Sequence, residues 1–271
     1  MADRRRIEAR LDRLVRENRF TIAVVFPLVG MVLLVASAEH WIGPPWRFNP
    51  LLVLGGPLVM RAPLLAGIAP LVGRREAVGL VALTAYTYAI EVVGVTTGLP
   101  YGEFTYGISL GPMIAGVPAA LPVFFFPLVL NSYLLVVLLG GVGNRLRRAL
   151  AAAAVVVGVD LVLDPGAVAL GFWAYVGGGP YYGVPLSNYA GWLLSAAVAV
   201  ALIEATFDAE DVRERLAACE FALDDLVSFV ILWGTVNVAY ENWVAVAVAG
   251  AFLAALIRAD RFDFGVVRPT T

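Results

Sequence analysis

Lysine is absent from this chain of 271 residues; all 19 basic residues are arginine. A Schiff base on a lysine amine is excluded, and with it a retinal protein. Histidine occurs once, at His40, and cysteine once, at Cys219. One histidine cannot build a histidine metal cluster, and one cysteine cannot close an internal disulfide. Charged residues make up only 15% of the chain. The net charge of −2 says little, and no nucleic-acid partner is expected. There is no Walker A loop for a nucleotide and no H-E-x-x-H motif for zinc.

What the chain has in excess is apolar surface. Hydrophobic residues are 61% of the total and the mean hydropathy is +0.84. A soluble protein of this size needs far more polar surface. Several apolar stretches reach the roughly 20 residues that cross a bilayer. Hydrocarbon offers no water to unpaired backbone groups, so the expected fold is an all-α, multi-pass protein of the cell membrane. Eight spans are expected, at 20–39, 50–72, 77–97, 114–141, 149–171, 189–207, 222–239 and 241–257. Residues 1–19 carry seven arginines and read as a cytoplasmic segment with no signal peptide. Residues 20–257 form one transmembrane domain, and 258–271 a cytoplasmic tail. Alternate loops hold most of the remaining arginines: Arg74 and Arg75, then Arg145, Arg147 and Arg148, then Arg213 and Arg215, with Arg258, Arg261 and Arg268 in the tail; of the other loops only 40–49 has one, Arg47. Basic loops stay cytoplasmic, which places both termini inside.

The basic-poor loops are rich in Gly, Pro, Tyr and Trp. An aromatic belt at the interface accounts for part of this. The dense interleaving of Gly and Pro suits loops that fold back to line a cavity. Two windows stand out. Glu91–Tyr106 reads E-V-V-G-V-T-T-G-L-P-Y-G-E-F-T-Y, and Asp160–Tyr175 reads D-L-V-L-D-P-G-A-V-A-L-G-F-W-A-Y. Each begins with a carboxylate in an apolar run, has Gly at the twelfth place and ends aromatic-x-Tyr. Asp160 follows Glu91 by 69 residues, as Gly171 follows Gly102 and Tyr175 follows Tyr106. A Gly-Val-Pro follows each, at 116–118 and 183–185. The expectation is a parallel internal repeat, with spans 3–4 and 5–6 as its copies.

An acid inside a membrane span is costly and points to function. Glu91 and Asp160 lie at matching depth. Asp164 is one turn beyond Asp160 on the same helical face, and Glu103 lies in an outer loop. Arg61 is the only basic residue deep in an apolar run, and a structural ion pair with one of these acids is the plainer reading. One arginine cannot neutralise the whole set, and burial disfavours the charge of the surplus. A protonated buried carboxyl is a general acid held ready, and surrounding aromatic faces stabilise a cation. These are the parts for protonating an alkene. Glu204 and Asp208, at the inner side, read as end-of-span polar residues. The Asp160-x-x-x-Asp164 pair matches only a fragment of the aspartate motif of membrane prenyltransferases.

The windows above, with D-L-V-L-D-P (160–165), W-A-Y (173–175) and Y-Y-G-V-P-L-S-N-Y-A-G-W (181–192), resemble the carotenoid hydratase family, most specifically over 85–192. The resemblance implies addition of water across a terminal isopropylidene C=C to give a tertiary alcohol, with no cofactor and no metal. The arginine-rich, lysine-free composition favours the halophile branch, which converts the C50 carotenoid bisanhydrobacterioruberin to bacterioruberin. The implied partners are a carotenoid substrate and membrane lipid; oligomeric state is not readable. The resemblance assigns no catalytic residue, so the candidates rest on the residues alone. Glu91 and Asp160 are expected as proton donor and water-activating base, in either order, with Asp164 and Glu103 as second choices. Tyr101, Tyr106, Asn131, Trp173, Tyr175, Tyr182, Asn188 and Trp192 are expected to line the substrate site. A carotenoid cyclase or elongase would use the same acid and aromatics. A membrane transporter or pigment-binding protein would also suit buried acids.

Overall fold

The computed structural model describes residues 2–140, 143–262 and 264. Gly141, Arg268 and nearly all of the expected tail beyond Phe262 lie outside these. Among the described residues the chain forms eleven α-helices and four short strands. The order is α1 (Ala2–Glu17), α2 (Phe26–Ala38), α3 (Pro50–Met60), α4 (Ala62–Ile68), α5 (Arg74–Thr97), β1 (Phe104–Tyr106), β2 (Met113–Ile114), β3 (Val117–Pro118), α6 (Leu121–Gly140), α7 (Arg145–Ala169), β4 (Trp173–Tyr175), α8 (Leu186–Thr206), α9 (Ala209–Ala218), α10 (Asp224–Ala239) and α11 (Trp243–Arg258).

The all-helical expectation holds. Five helical segments are long and apolar enough to cross a membrane, or six when α3 and α4 count as one bent span. Eight segments were expected. The last two, α10 and α11, have 16 residues each. At 1.5 Å per residue that is about 24 Å, short of the ~30 Å hydrocarbon core. The expected span at 114–141 starts only at Leu121, because Met113–Pro118 turns into a hairpin. The stretch between the expected spans at 189–207 and 222–239 is largely a helix, α9, capped by Asp208, and it leads into the buried Cys219.

Proline shapes the spans, and side chains repair what it removes. Proline has no N–H to give the carbonyl four residues back. Pro127 lies inside α6, and the carbonyl of Val123 instead accepts a bond from Arg61 Nε at 3.3 Å. Pro165 lies inside α7, and the carbonyl of Leu161 instead accepts from the Tyr181 hydroxyl at 3.1 Å. Before Pro27 the chain widens into a π-helical turn at Thr21–Val25, a common answer to a lost i−4 bond. The α3–α4 segment bends by 40° at Arg61, between Pro57 and Pro63. The bend leaves Arg61 inside the bundle, where its guanidinium pairs with Asp225, at the start of α10. Asn131 Nδ2 donates to the other oxygen of Asp225 at 2.6 Å. Arg61 thus serves an acid that the sequence analysis had not singled out.

In the interior, α7 packs against α6 and α8, α5 against α8, and α10 against α2 and α11. Between the spans, β1 and β4 pair antiparallel: Phe104 opposite Tyr175, Thr105 opposite Ala174, Tyr106 opposite Trp173. The ladder extends by Gly107 N to Phe172 O at 2.9 Å and Val176 N to Glu103 O at 2.8 Å. Shifting either of these two bonds by the 69-residue offset gives the other, so the pairing is unchanged when the two windows are exchanged. Both Gly-Val-Pro segments close tight turns through two successive left-handed residues. These are Ala115 and Gly116 (φ 51° and 83°) and Tyr182 and Gly183 (φ 51° and 84°), the backbone of a type I′ hairpin turn.

Breaking a buried ion pair costs about 3–5 kcal/mol because one charge is left alone. Asp225→Ala is therefore expected to lower thermal stability in detergent by that order. The double change Arg61→Met with Asp225→Leu should recover most of the loss. A single mutant as stable as the wild type would show that the pair contributes nothing.

Candidate active site

Side chains alternate across a strand, so residues i and i+2 share a face. Antiparallel pairing sets opposite residues on the same face as well. Phe104, Tyr106, Trp173 and Tyr175 therefore present four aromatic rings to one side, while Thr105 and Ala174 point outward and are exposed. All four rings line a cavity of about 130 Å³ between α5, α6, α7 and α8. Glu91, Tyr101, Asp164, Asn188 and Trp192 line it too.

Each window supplies one tyrosine–carboxyl pair. The Tyr106 hydroxyl donates to Glu91 Oε1 at 2.5 Å, and the Tyr175 hydroxyl donates to Asp164 Oδ2 at 3.0 Å. Asp160 and Asp164, one turn apart on α7, are bridged by Asn188, whose Nδ2 donates at 2.9 Å to Asp160 Oδ2 and at 2.5 Å to Asp164 Oδ2. Asp160 is fully buried but does not line the cavity; it stands behind Asp164. Strict repetition would give Tyr175 the carboxyl at 160, yet it takes the one at 164. Burial first, and then the neighbouring carboxyl, push the Tyr106 and Tyr175 phenols above their ordinary value. Both remain O–H donors at neutral pH.

Cations are kept out of this group. The other buried acids hold arginines: Asp224 with Arg19, Asp225 with Arg61, Glu204 with Arg148. Among the described residues no salt bridge reaches Glu91, Asp160 or Asp164; tyrosine and asparagine hold them instead. No group of His, Cys, Asp and Glu suited to a metal ion occurs among the described residues.

The aromatic wall is held by close backbone approaches. Tyr101 lies between Gly94 of α5 and Gly191 of α8; a Cβ at these positions would stand 3.2 Å and 2.6 Å from its ring. Its hydroxyl reaches Ser195 Oγ at 2.6 Å, which also accepts from the Tyr86 hydroxyl at 3.1 Å. Trp192 stacks on Phe125 at 5.4 Å, and Phe172 meets Trp233 edge-on at 6.0 Å. Trp173 Nε1 is buried with no acceptor in the protein among the described residues.

Of the expected site residues, Glu91, Asp164, Tyr101, Tyr106, Trp173, Tyr175, Asn188 and Trp192 come together around the cavity. Three do not. Glu103 is exposed, and its carbonyl serves the ladder. Asn131 is bound to the Arg61–Asp225 pair. Tyr182 occupies the left-handed position of its turn, and its hydroxyl accepts from Val244 N at 3.0 Å. Phe124, Phe125 and Trp233 line the cavity without having been singled out. They lie in plain apolar helical runs, where nothing local distinguishes a lining ring from a packed one. Ser195 follows Asn188 by seven residues, two helical turns, and that spacing was the available signal.

A profile of the family described as carotenoid biosynthesis protein matches residues 48–256. The chain belongs to that family. A bisanhydrobacterioruberin hydratase from Haloarcula japonica is 61% identical over 261 residues, covering 94% of this chain and 88% of the relative. No solved structure matches.

Space at the tyrosine slot separates two glycines. Gly191→Ala pushes a methyl into the Tyr101 ring and the Pro100 backbone, an overpacking that costs about 1–3 kcal/mol. Gly250→Ala, on α11 with open space around it, is expected to be neutral or slightly stabilising. Equal melting temperatures for the two variants in detergent would contradict the slot.

Proposed function

We propose that the protein is a carotenoid hydratase that adds water to the terminal C=C of an acyclic C50 carotenoid, converting bisanhydrobacterioruberin to bacterioruberin. Family membership and the close relative's name support the reaction. The observation that carries it on this chain is an aromatic cavity lined by two carboxyls, Glu91 and Asp164, with no arginine paired to either among the described residues.

Glu91, in its acid form, gives a proton to the less substituted alkene carbon. The π electrons form the new C–H bond, and the positive charge falls on the tertiary carbon. Aromatic faces hold that cation through their ring quadrupoles; Tyr106, Trp173, Tyr175 and Trp192 surround it. Water attacks the cation, and Asp164 takes the proton that water releases. Two donors already converge on Asp164 Oδ2, which suits an acceptor. Trp173 Nε1, which has no protein acceptor, orients the water. The proton gained by Asp164 then returns to Glu91, so the cycle balances with no redox partner. Asp160 acts as a positioning residue through Asn188.

In the same proposal all eight helical crossings traverse the cell membrane: α2, the bent α3–α4, α5, α6, α7, α8, α10 and α11. Both termini are cytoplasmic, as the arginine-rich loops suggest. Spans 3–4 and 5–6 are two copies of one unit, which the exchangeable β1–β4 register and the paired turns support. Carotenoid and lipid are the partners, and the chemistry calls for no cofactor.

General acid–base groups contribute about 10²–10⁴-fold. Glu91→Gln and Asp164→Asn, each expressed in a host that makes the precursor, are expected to lower hydrated pigment by at least that lower bound. Asp160→Asn is expected to lower it less than Asp164→Asn. Wild-type product should gain the mass of one water for each end hydrated, two for the complete conversion; a product of unchanged mass would indicate cyclisation instead. Normal yield from Glu91→Gln or Asp164→Asn would remove that residue from the mechanism. For topology, Val176→Cys just after β4 and Leu146→Cys at the start of α7 place exposed thiols at opposite ends of α7 when Cys219 is replaced by Ser. On intact cells an impermeant maleimide should label the first and spare the second; the reverse pattern would invert the orientation.

A further inference from the structure

The active-site cavity has an apolar neighbour. A second, larger hollow of about 600 Å³ runs between α2 and α3 over the face of α10. Phe124, Leu128, Leu163, Phe172 and Trp233 line both hollows, so the two adjoin across these side chains. The larger one is overwhelmingly apolar. Val29 and Leu33 of α2 form one side, and Leu52, Gly55 and Gly56 of α3 form the other. Its one charged liner, Arg61, is already paired with Asp225. Its outer rim is not covered by protein: Leu51 is 82% exposed and Trp46 63% exposed.

The glycines on this wall have no packing reason visible in the structure. A Cβ on Gly55 or Gly56 would meet nothing within 4 Å, unlike Gly94 and Gly191, which sit against Tyr101. Both lie in regular helix, where glycine is unfavourable by about 1 kcal/mol relative to alanine. Glycine here keeps the wall low along the groove.

We infer that this groove is the binding site for the polyene rod of the substrate, and that the carotenoid enters sideways from the bilayer between α2 and α3. This rests on the hydration reading of the cavity. A rigid hydrocarbon as long as the bilayer is thick cannot be enclosed in 130 Å³. One end must reach the carboxyls while the rest lies along an apolar surface open to lipid. The groove has that surface, opens to that side, and shares five liners with the cavity. The two ends of a symmetric carotenoid would be treated in turn, the rod leaving by the same lateral opening and returning reversed.

The test fills the groove without touching the carboxyls. Gly55→Phe and Gly56→Leu each place a side chain into it. Hydration is measured in detergent on the full-length C50 carotenoid and on a short acyclic isoprenoid hydrocarbon with the same terminal isopropylidene group. The ratio of long-chain to short-chain hydration is expected to fall tenfold or more in both variants. An unchanged ratio would overturn the groove, while the hydration chemistry would stand. Binding is read separately, by quenching of tryptophan fluorescence by the polyene, since Trp46 and Trp233 line the groove. The variants should need at least tenfold more polyene for half-quenching, and equal titration curves would overturn the proposal. If the wild type hydrated neither substrate, the reaction assignment would fail, and the quenching titration would still decide the groove.

Discussion

Three residues of β1 pair with three of β4, and one further backbone bond at each end extends the ladder. This small antiparallel ribbon ties the outlet of α5 to the outlet of α7, two helices that carry the acids of the site. It also turns Tyr106 and Tyr175 inward together, each onto its own carboxyl. The approach is close: a Cβ on Gly107 would stand 2.3 Å from the carbonyl oxygen of Gly171, so only glycine fits there. The ribbon spans the ends of these helices, and its inward rings form one wall of the cavity.

Charge is distributed by the same logic. Buried carboxylates are costly unless paired, and Asp224, Asp225 and Glu204 each have an arginine. Arg61 settles on Asp225 because the proline-flanked bend at α3–α4 leaves it facing α10. The same guanidinium caps the carbonyl that Pro127 leaves open. Glu91, Asp160 and Asp164 are left with neutral donors, which orient a carboxyl without fixing its charge. That difference separates the acids held by arginines from the acids held by tyrosine and asparagine.

Much of this was legible beforehand. Hydropathy marked the helical segments, because a bilayer filters composition more strictly than water does. The 69-residue offset pointed to Glu91, Tyr106 and Tyr175, and the i,i+4 spacing placed Asp164 beside Asp160. Other features were out of reach. Nothing local marks Asp225, and its burial depends on α10 packing against a kink elsewhere in the chain. Asn131 looked like a lone mid-span amide facing substrate, but its partner is 94 residues away. Glu103 and Tyr182 belong to turn backbones, where an exposed side chain and a left-handed φ decide their roles.

The sequence by itself determined that the chain is helical and membrane-bound, and that two related segments each bring an acid and an aromatic-x-Tyr motif. Those are properties of composition and period, which need no partner. Only the tertiary structure decided which carboxyl each tyrosine holds, that Asp164 rather than Asp160 faces the cavity, and which acids the arginines take. These are contacts between residues far apart in the chain. They are set by which helix faces meet once prolines bend the spans and glycines let backbones approach.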